Sequence, residues 1–173
     1  GQAPDTHVLN RFAEAVARNL QATLGEIDHA TFDAAAALLA DPGRGLFAVG
    51  GRITHALADY AATHLRMMRP GVTLLDDRSS TWPPALLDMA AGDVLLVFDI
   101  RRYENAVLHL AEAAVERGAE VILITDRWVS PAARVARHRF AARIEAPSPW
   151  DSNVAILVVV ETLLAGVADL GWE

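Results

Sequence analysis

Apolar residues recur at three- and four-residue spacing from Val8 through Phe12, Ala15, Val16, Leu20 and Leu24, which predicts an amphipathic helix over 7–25. Asp5 or Thr6 is placed to cap its start and Gly25 to end it. A second helix of Ala and Leu spans 29–40 and closes at Asp41-Pro42-Gly43. Beyond it the pattern changes to short unbroken apolar runs separated by amphipathic stretches. The runs 46–49, 72–75, 94–98, 121–125 and 140–144 read as buried strands. Helical spacing fills 54–69, 84–91 and 104–117, with Pro70-Gly71 and Gly118 as terminators. Ser130-Pro131 opens a further helix, with serine as cap and proline at the first helical position. The last apolar segment, to about Leu170, is rich in β-branched residues. Its length and its lack of turn residues before Gly166 favour a helix, for which Asp151-Ser152-Asn153 offers caps.

Strand alternating with helix predicts an α/β fold, a three-layer α-β-α sandwich around a five-stranded parallel sheet with right-handed crossovers. In the common flavodoxin-like order 2-1-3-4-5, the switch point falls between the first and third strands, where such sheets bind ligands. Residues 7–173 are expected to form one domain, with 1–6 as a linker. The last helix is apolar on all sides, which predicts that it packs against a second copy of the chain as well as its own core.

Composition narrows the classes. The chain has 173 residues, 53% of them apolar and 21% charged, enough for one globular domain with a sizeable core. It has no cysteine, which excludes disulfides, thiolate metal sites and cysteine nucleophiles. A net charge of −7 makes a poor nucleic-acid binder. The apolar run at Val154–Val160 is cut by Glu161 and is too short to span a bilayer. Without a signal-peptide pattern, the cytoplasm is the expected compartment.

The two turns at the switch point carry the candidate chemistry. Gly50-Gly51-Arg52 follows the first strand, and Asp99-Ile100-Arg101-Arg102-Tyr103-Glu104 follows the third. The three arginines against Asp99 and Glu104 leave one net positive charge. Guanidinium forks suit a carboxylate or phosphate, so a small anionic metabolite is the expected ligand. The alternative is that Asp99 and Glu104 pair with the arginines and close a vestigial site. Ser79 and Ser80, with Thr81, follow the second strand and could add hydroxyl contacts, or form only a solvated loop. Ser130 and Ser152 are both explained as helix caps. The six histidines have no metal-ligand spacing. No nucleophile elbow, Walker loop or complete dinucleotide fingerprint is present, so no cofactor is expected.

The Gly-rich first turn and Gly118-Ala119-Glu120-Val121-Ile122-Leu123-Ile124-Thr125-Asp126, followed by Ser130-Pro131-Ala132, resemble a sugar-isomerase-type (SIS) domain. Asn19-Leu20-Gln21-Ala22-Thr23-Leu24 upstream and Trp150-Asp151-Ser152-Asn153 downstream are similar to the effector domain of RpiR-type bacterial transcription regulators. The resemblance implies a domain that senses a phosphosugar or related metabolite and dimerises. DNA would be read by an N-terminal helix-turn-helix domain that this sequence does not include.

The same comparison exposes departures. The family's first turn usually reads Gly-x-Gly-x-Ser, and here Ala48 and Arg52 take the first-glycine and serine positions. Its third-strand turn usually reads Ser-x-Ser-Gly-x-Thr, and here the six are Asp99 to Glu104. The ligand-binding set implied is Gly50, Gly51, Arg52, Ser79, Ser80, Asp99, Arg101, Arg102, Glu104 and Ser152. A sugar-phosphate isomerase, with Glu104 or His55 as base, and a dimerisation domain with a dead pocket are the alternatives.

Overall fold

The computed structural model describes residues 7–171. In chain order the elements are α1 (Val8–Gly25), α2 (His29–Ala40), β1 (Leu46–Val49), α3 (His55–Met68), β2 (Val72–Leu74), α4 (Trp82–Asp88), β3 (Val94–Phe98), α5 (Asn105–Glu116), β4 (Glu120–Asp126), β5 (His138–Ala142) and α6 (Val154–Asp169). The five strands are parallel, in the order β2-β1-β3-β4-β5. Leu46 pairs with both Val72 and Val94, so β1 is an interior strand and the order reverses between β1 and β3.

Strand alternation divides the core into two faces. Leu46, Ala48, Val94, Leu96, Phe98, Ile122 and Ile124 point to one side and pack with α2, α3 and α6. Phe47, Val49, Leu95, Val97, Val121 and Leu123 point to the other, under α4 and α5. Both sides of the central strands are therefore dry, which is why they read as unbroken apolar runs rather than as alternation.

Several local expectations are corrected. The fifth strand is His138–Ala142, two residues earlier than 140–144. It is an edge strand, so the polar His138 and Arg139 stay partly solvated while Phe140 and Ala142 are buried. Ser130 caps as expected, accepting from the Ala132 amide, but the segment it opens is only a 3₁₀ turn, Pro131–Arg134. The chain is needed in β5 four residues later, which leaves no length for a helix. The 84–91 helix is α4, Trp82–Asp88, preceded by a 3₁₀ turn at Ser79–Thr81. Prolines 83 and 84 sit in its first turn, where their missing N–H groups cost nothing. The cap of α1 is His7, whose Nδ1 accepts from the Leu9 amide at 3.1 Å. Asp5 and Thr6 lie outside the described residues, as do the rest of the expected linker and Trp172 and Glu173. Gly118 does end α5, with φ at +88°, a conformation that other residues adopt at a cost.

The last segment is a helix, and its apolar circumference is largely used within the chain. Ala155, Ile156, Val159, Val160, Leu163 and Val167 are buried, and α6 packs on α1, α2, α3 and β5. Gly166 receives the ring of Phe32 from α2 at close range. Helix α1 is tied to the chain just after β5. Thr23 Oγ1 accepts from the Arg143 amide at 2.9 Å, Asn19 Nδ2 donates to the Glu145 carbonyl at 2.7 Å, and Arg143 Nη2 donates to Glu26 Oε1 at 2.7 Å. Asn19 and Thr23 are both buried, which explains two polar residues on an inward helix face. At the opposite end of the sheet from the crevice, the buried Arg69 donates to the carbonyls of Pro70, Leu39 and Arg44. No helix among the described residues is long and apolar enough to cross a membrane.

Candidate functional site at the sheet switch point

The strand order leaves a crevice at the carboxyl ends of β1 and β3, and both arginine-bearing turns border it. The first turn is built by close approach. A β-carbon on Gly50 would lie 2.6 Å from the backbone of Thr54, so only glycine lets β1 run directly under the first turn of α3. Thr54 is buried and holds the turn. Its Oγ1 accepts from the Gly51 amide at 2.7 Å and donates to the Phe98 carbonyl at 3.3 Å, tying the end of β1 to the end of β3. The Arg52 side chain lies exposed at the rim.

The second turn is organised by carboxylates. Asp99 is buried, 3% exposed, and its Oδ2 accepts the Ser130 hydroxyl while Oδ1 accepts the Glu104 amide at 3.4 Å. Burial pushes its carboxyl up to about 6. The Ser130 and Glu104 hydrogen bonds pull it down, and the neighbouring charges of Glu104 and Asp126 raise it further.

Asp126, at the end of β4, is fully buried. It accepts from the Arg101 amide at 2.8 Å, the Tyr103 hydroxyl at 2.5 Å, and the Trp128 and Val129 amides at 3.1 and 3.2 Å. It thus fastens the β3–α5 turn to the chain after β4. The Tyr103 phenol is held well above its ordinary range, by burial first and then by its bond to Asp126.

Arg101 does not pair with Asp99 or Glu104, as the vestigial-site alternative requires. Its partner is Asp151, just before α6: Nε donates to Oδ2 at 3.2 Å and Nη2 to Oδ1 at 2.9 Å. The Arg101 guanidinium also lies 4.0 Å from the ring centroid of Trp128, where Arg127 stacks at 4.5 Å. Glu104 goes elsewhere again. Its carboxylate sits against the first turn, with Oε1 accepting from the Arg52 amide at 3.4 Å.

The remaining expected residues are placed less centrally. Arg102 is exposed. Ser79 and Ser80 are exposed in the 3₁₀ turn beyond β2, as a solvated loop would be. Ser152 is buried at the start of α6, where its Oγ accepts from the Val154 amide at 3.3 Å. The structure therefore brings Gly50, Gly51, Arg52, Asp99, Arg101 and Glu104 to one crevice, with Arg102 exposed on the same turn. It adds Tyr103, Asp126, Trp128 and Asp151, which sequence reasoning did not single out. Asp126 ends a strand whose residues 121–124 are all apolar, at the carboxyl end where such sheets bind ligands, and that position is the signal that could have found it.

The SIS domain family model matches residues 38–166, well over half of the chain. The chain belongs to the SIS domain family. Among solved structures, the SIS domain of an RpiR transcription factor from Sphaerobacter thermophilus is 26% identical. The match covers 98% of this chain and 92% of that one, with a TM-score of 0.86. The Vibrio vulnificus NanR protein, solved with ManNAc-6P, superposes with a TM-score of 0.82 at 18% identity, over 98% of this chain and 65% of that one. A phosphoheptose isomerase from Francisella tularensis superposes at 0.77 with 16% identity, over 93% and 96% of the two chains. At such identities the last two establish the fold alone. No curated protein sequence matches this SIS domain.

Proposed function

We propose that this SIS domain is the effector-sensing part of a bacterial transcription regulator and that it binds an anionic carbohydrate derivative, a sugar acid or sugar phosphate, at the β1/β3 crevice. The observation that carries this reading is the Arg101–Asp151 pair. At the crevice mouth a guanidinium already holds a carboxylate through two hydrogen bonds. Such a fork is geometrically ready for an anionic group of a ligand, which would take the place of Asp151. Arg52 and Arg102, both exposed, supply the surrounding positive potential. Similarity to the RpiR sugar isomerase domain over nearly the whole chain supports a regulator, and the NanR complex with ManNAc-6P is a precedent for a sugar phosphate in this fold.

The rest of the reading follows from the role. DNA is contacted through a separate helix-turn-helix domain, in the cytoplasm, and the SIS domain pairs with a second copy. Val8, Leu9, Leu24 and Leu170, exposed on α1 and at the end of α6, supply apolar surface for that pairing.

The test is calorimetry and thermal shift with a panel of sugar acids and sugar phosphates. At least one is expected to bind and raise the melting temperature. Arg101→Ala is expected to weaken that binding at least tenfold and Arg52→Ala less. Undiminished affinity in Arg101→Ala would refute the assignment. Aldose–ketose turnover of a sugar phosphate would replace sensing by catalysis.

A further inference from the structure

The amide end of the first turn is already occupied by an anion, and that anion belongs to the protein. Helix α3 is 14 residues long, and its cap residue Thr54 makes no side-chain bond to the helix amides. The His55, Leu57 and Ala58 amides are already taken by the Gly51 and Thr54 carbonyls, so it is the positive end of the helix dipole that favours negative charge beside the turn. The carboxylate that meets the turn leading into α3 is Glu104, through the Arg52 amide rather than the helix amides. A β-carbon placed on Gly51 would lie 2.8 Å from Glu104 Oε1 and 3.1 Å from its Cδ, and Oε1 also accepts from the Arg52 amide. Gly51 thus leaves room for this carboxylate rather than for a free ligand.

Glu104 is anchored from behind. Its carbonyl accepts from the Val107 and Leu108 amides at the start of α5, and its own amide reaches Asp99. Asp99 and Asp126 stand behind it as further carboxylates. A phosphate group entering this end would meet Glu104 directly, with two more acids beyond. Across the crevice the situation is reversed, because Arg101 receives a planar carboxylate through both arms of its fork.

We infer that Glu104 is the residue that decides which anion this crevice accepts: its carboxylate closes the amide end of the β1–α3 turn to phosphate and leaves the fork of Arg101 to a ligand carboxylate, so that the ligand class is a sugar acid rather than a phosphate ester. The inference rests on the proposed binding function and narrows it. The exclusion is by charge as well as by volume, since the side chain is held by one long hydrogen bond and an amide in its place could turn aside.

The experiment compares wild type, Glu104→Gln and Glu104→Ala by calorimetry, with D-gluconate, D-glucuronate, D-glucose 6-phosphate and inorganic phosphate as probes. Melting curves and far-UV circular dichroism confirm that each variant is folded. Wild type is expected to bind at least one of the two sugar acids at least tenfold more tightly than glucose 6-phosphate. Glu104→Ala is expected to gain at least tenfold for both phosphate probes and Glu104→Gln several-fold, so that the ratio of sugar-acid to phosphate affinity falls at least tenfold in Glu104→Ala. Folded variants that bind phosphate no better than wild type would overturn the role of Glu104, and sugar-acid binding by wild type would leave the sensing function standing. Equal or tighter binding of glucose 6-phosphate by wild type would overturn it equally. Should wild type bind no sugar acid or sugar phosphate at all, the function itself falls, and with it the ligand class.

Discussion

At the scale of single residues, the site is a set of carboxylates given different work by their surroundings. Asp126 is satisfied by four donors, Asp151 is ion-paired, Glu104 rests on a turn, and Asp99 is buried with its carboxyl raised to about 6. A raised folded value means that the native state holds the Asp99 proton more tightly than the unfolded chain does. Its contribution is fully present below about 3.8 and is lost as pH rises through 6, a swing on the order of 3 kcal/mol. Asp99→Asn has no charge to bury and keeps an oxygen for the Glu104 amide and an amide for Ser130. It is expected to match or fall below wild type at pH 4 and to gain on it as pH rises to 7, then level off. Chemical denaturation at several pH values measures this, and a difference independent of pH would dismiss the account. The sequence announced Asp99, Arg101 and Glu104 as candidates because they follow a buried strand at the switch point. It could not announce their partners. Asp126 and Asp151 lie 25 and 50 positions from Arg101, and only folding brings them to it.

At the scale of elements, the strands and long helices were legible because each carries an apolar pattern of the right period and a terminator. The misread elements are those in which tertiary context outweighs a local signal. Ser130-Pro131 is a sound helix start that has no room to become a helix, and His138-Arg139, outside the expected strand at 140–144, belongs to a sheet edge where polar residues are tolerated. Arg69 illustrates a junction that sequence pattern does not reveal. It is buried at the end of α3 and bonds three carbonyls, from the last turn of α2, from the residue before β1's lead-in, and from its own loop. Burial lowers its guanidinium, countered by Asp41 and Asp93. Arg69→Ala strands those carbonyls and leaves a void, so a loss of about 3 kcal/mol is expected in urea melts, with Arg69→Lys intermediate. Ligand affinity at the far crevice should be unchanged. A neutral effect of Arg69→Ala would mean that the three bonds are dispensable.

At the scale of the whole molecule, the two-faced core and the strand order follow from the alternation of elements, and the sequence anticipated both. The partner expected for α6 is a different matter. That helix meets α1, α2 and α3 in its own chain, so its apolar character is accounted for largely without a second copy. Self-association has to be argued instead from Val8, Leu9, Leu24 and Leu170, which remain exposed on α1 and at the end of α6. Sedimentation velocity is expected to give twice the monomer mass, and Leu9→Asp to shift it toward monomer; a wild-type monomer at tens of micromolar would refute the pairing. One feature of the fold gives these outer helices a further part. Three hydrogen bonds, from Asn19, Thr23 and Glu26, moor α1 to Arg143 and Glu145, and the same stretch of chain continues to Asp151. A ligand that takes Arg101 from Asp151 therefore loosens the far end of a short leash whose near end is the opening helix. News of an occupied crevice would have only six peptide bonds, from Asp151 back to Glu145, to travel before it reaches α1's moorings.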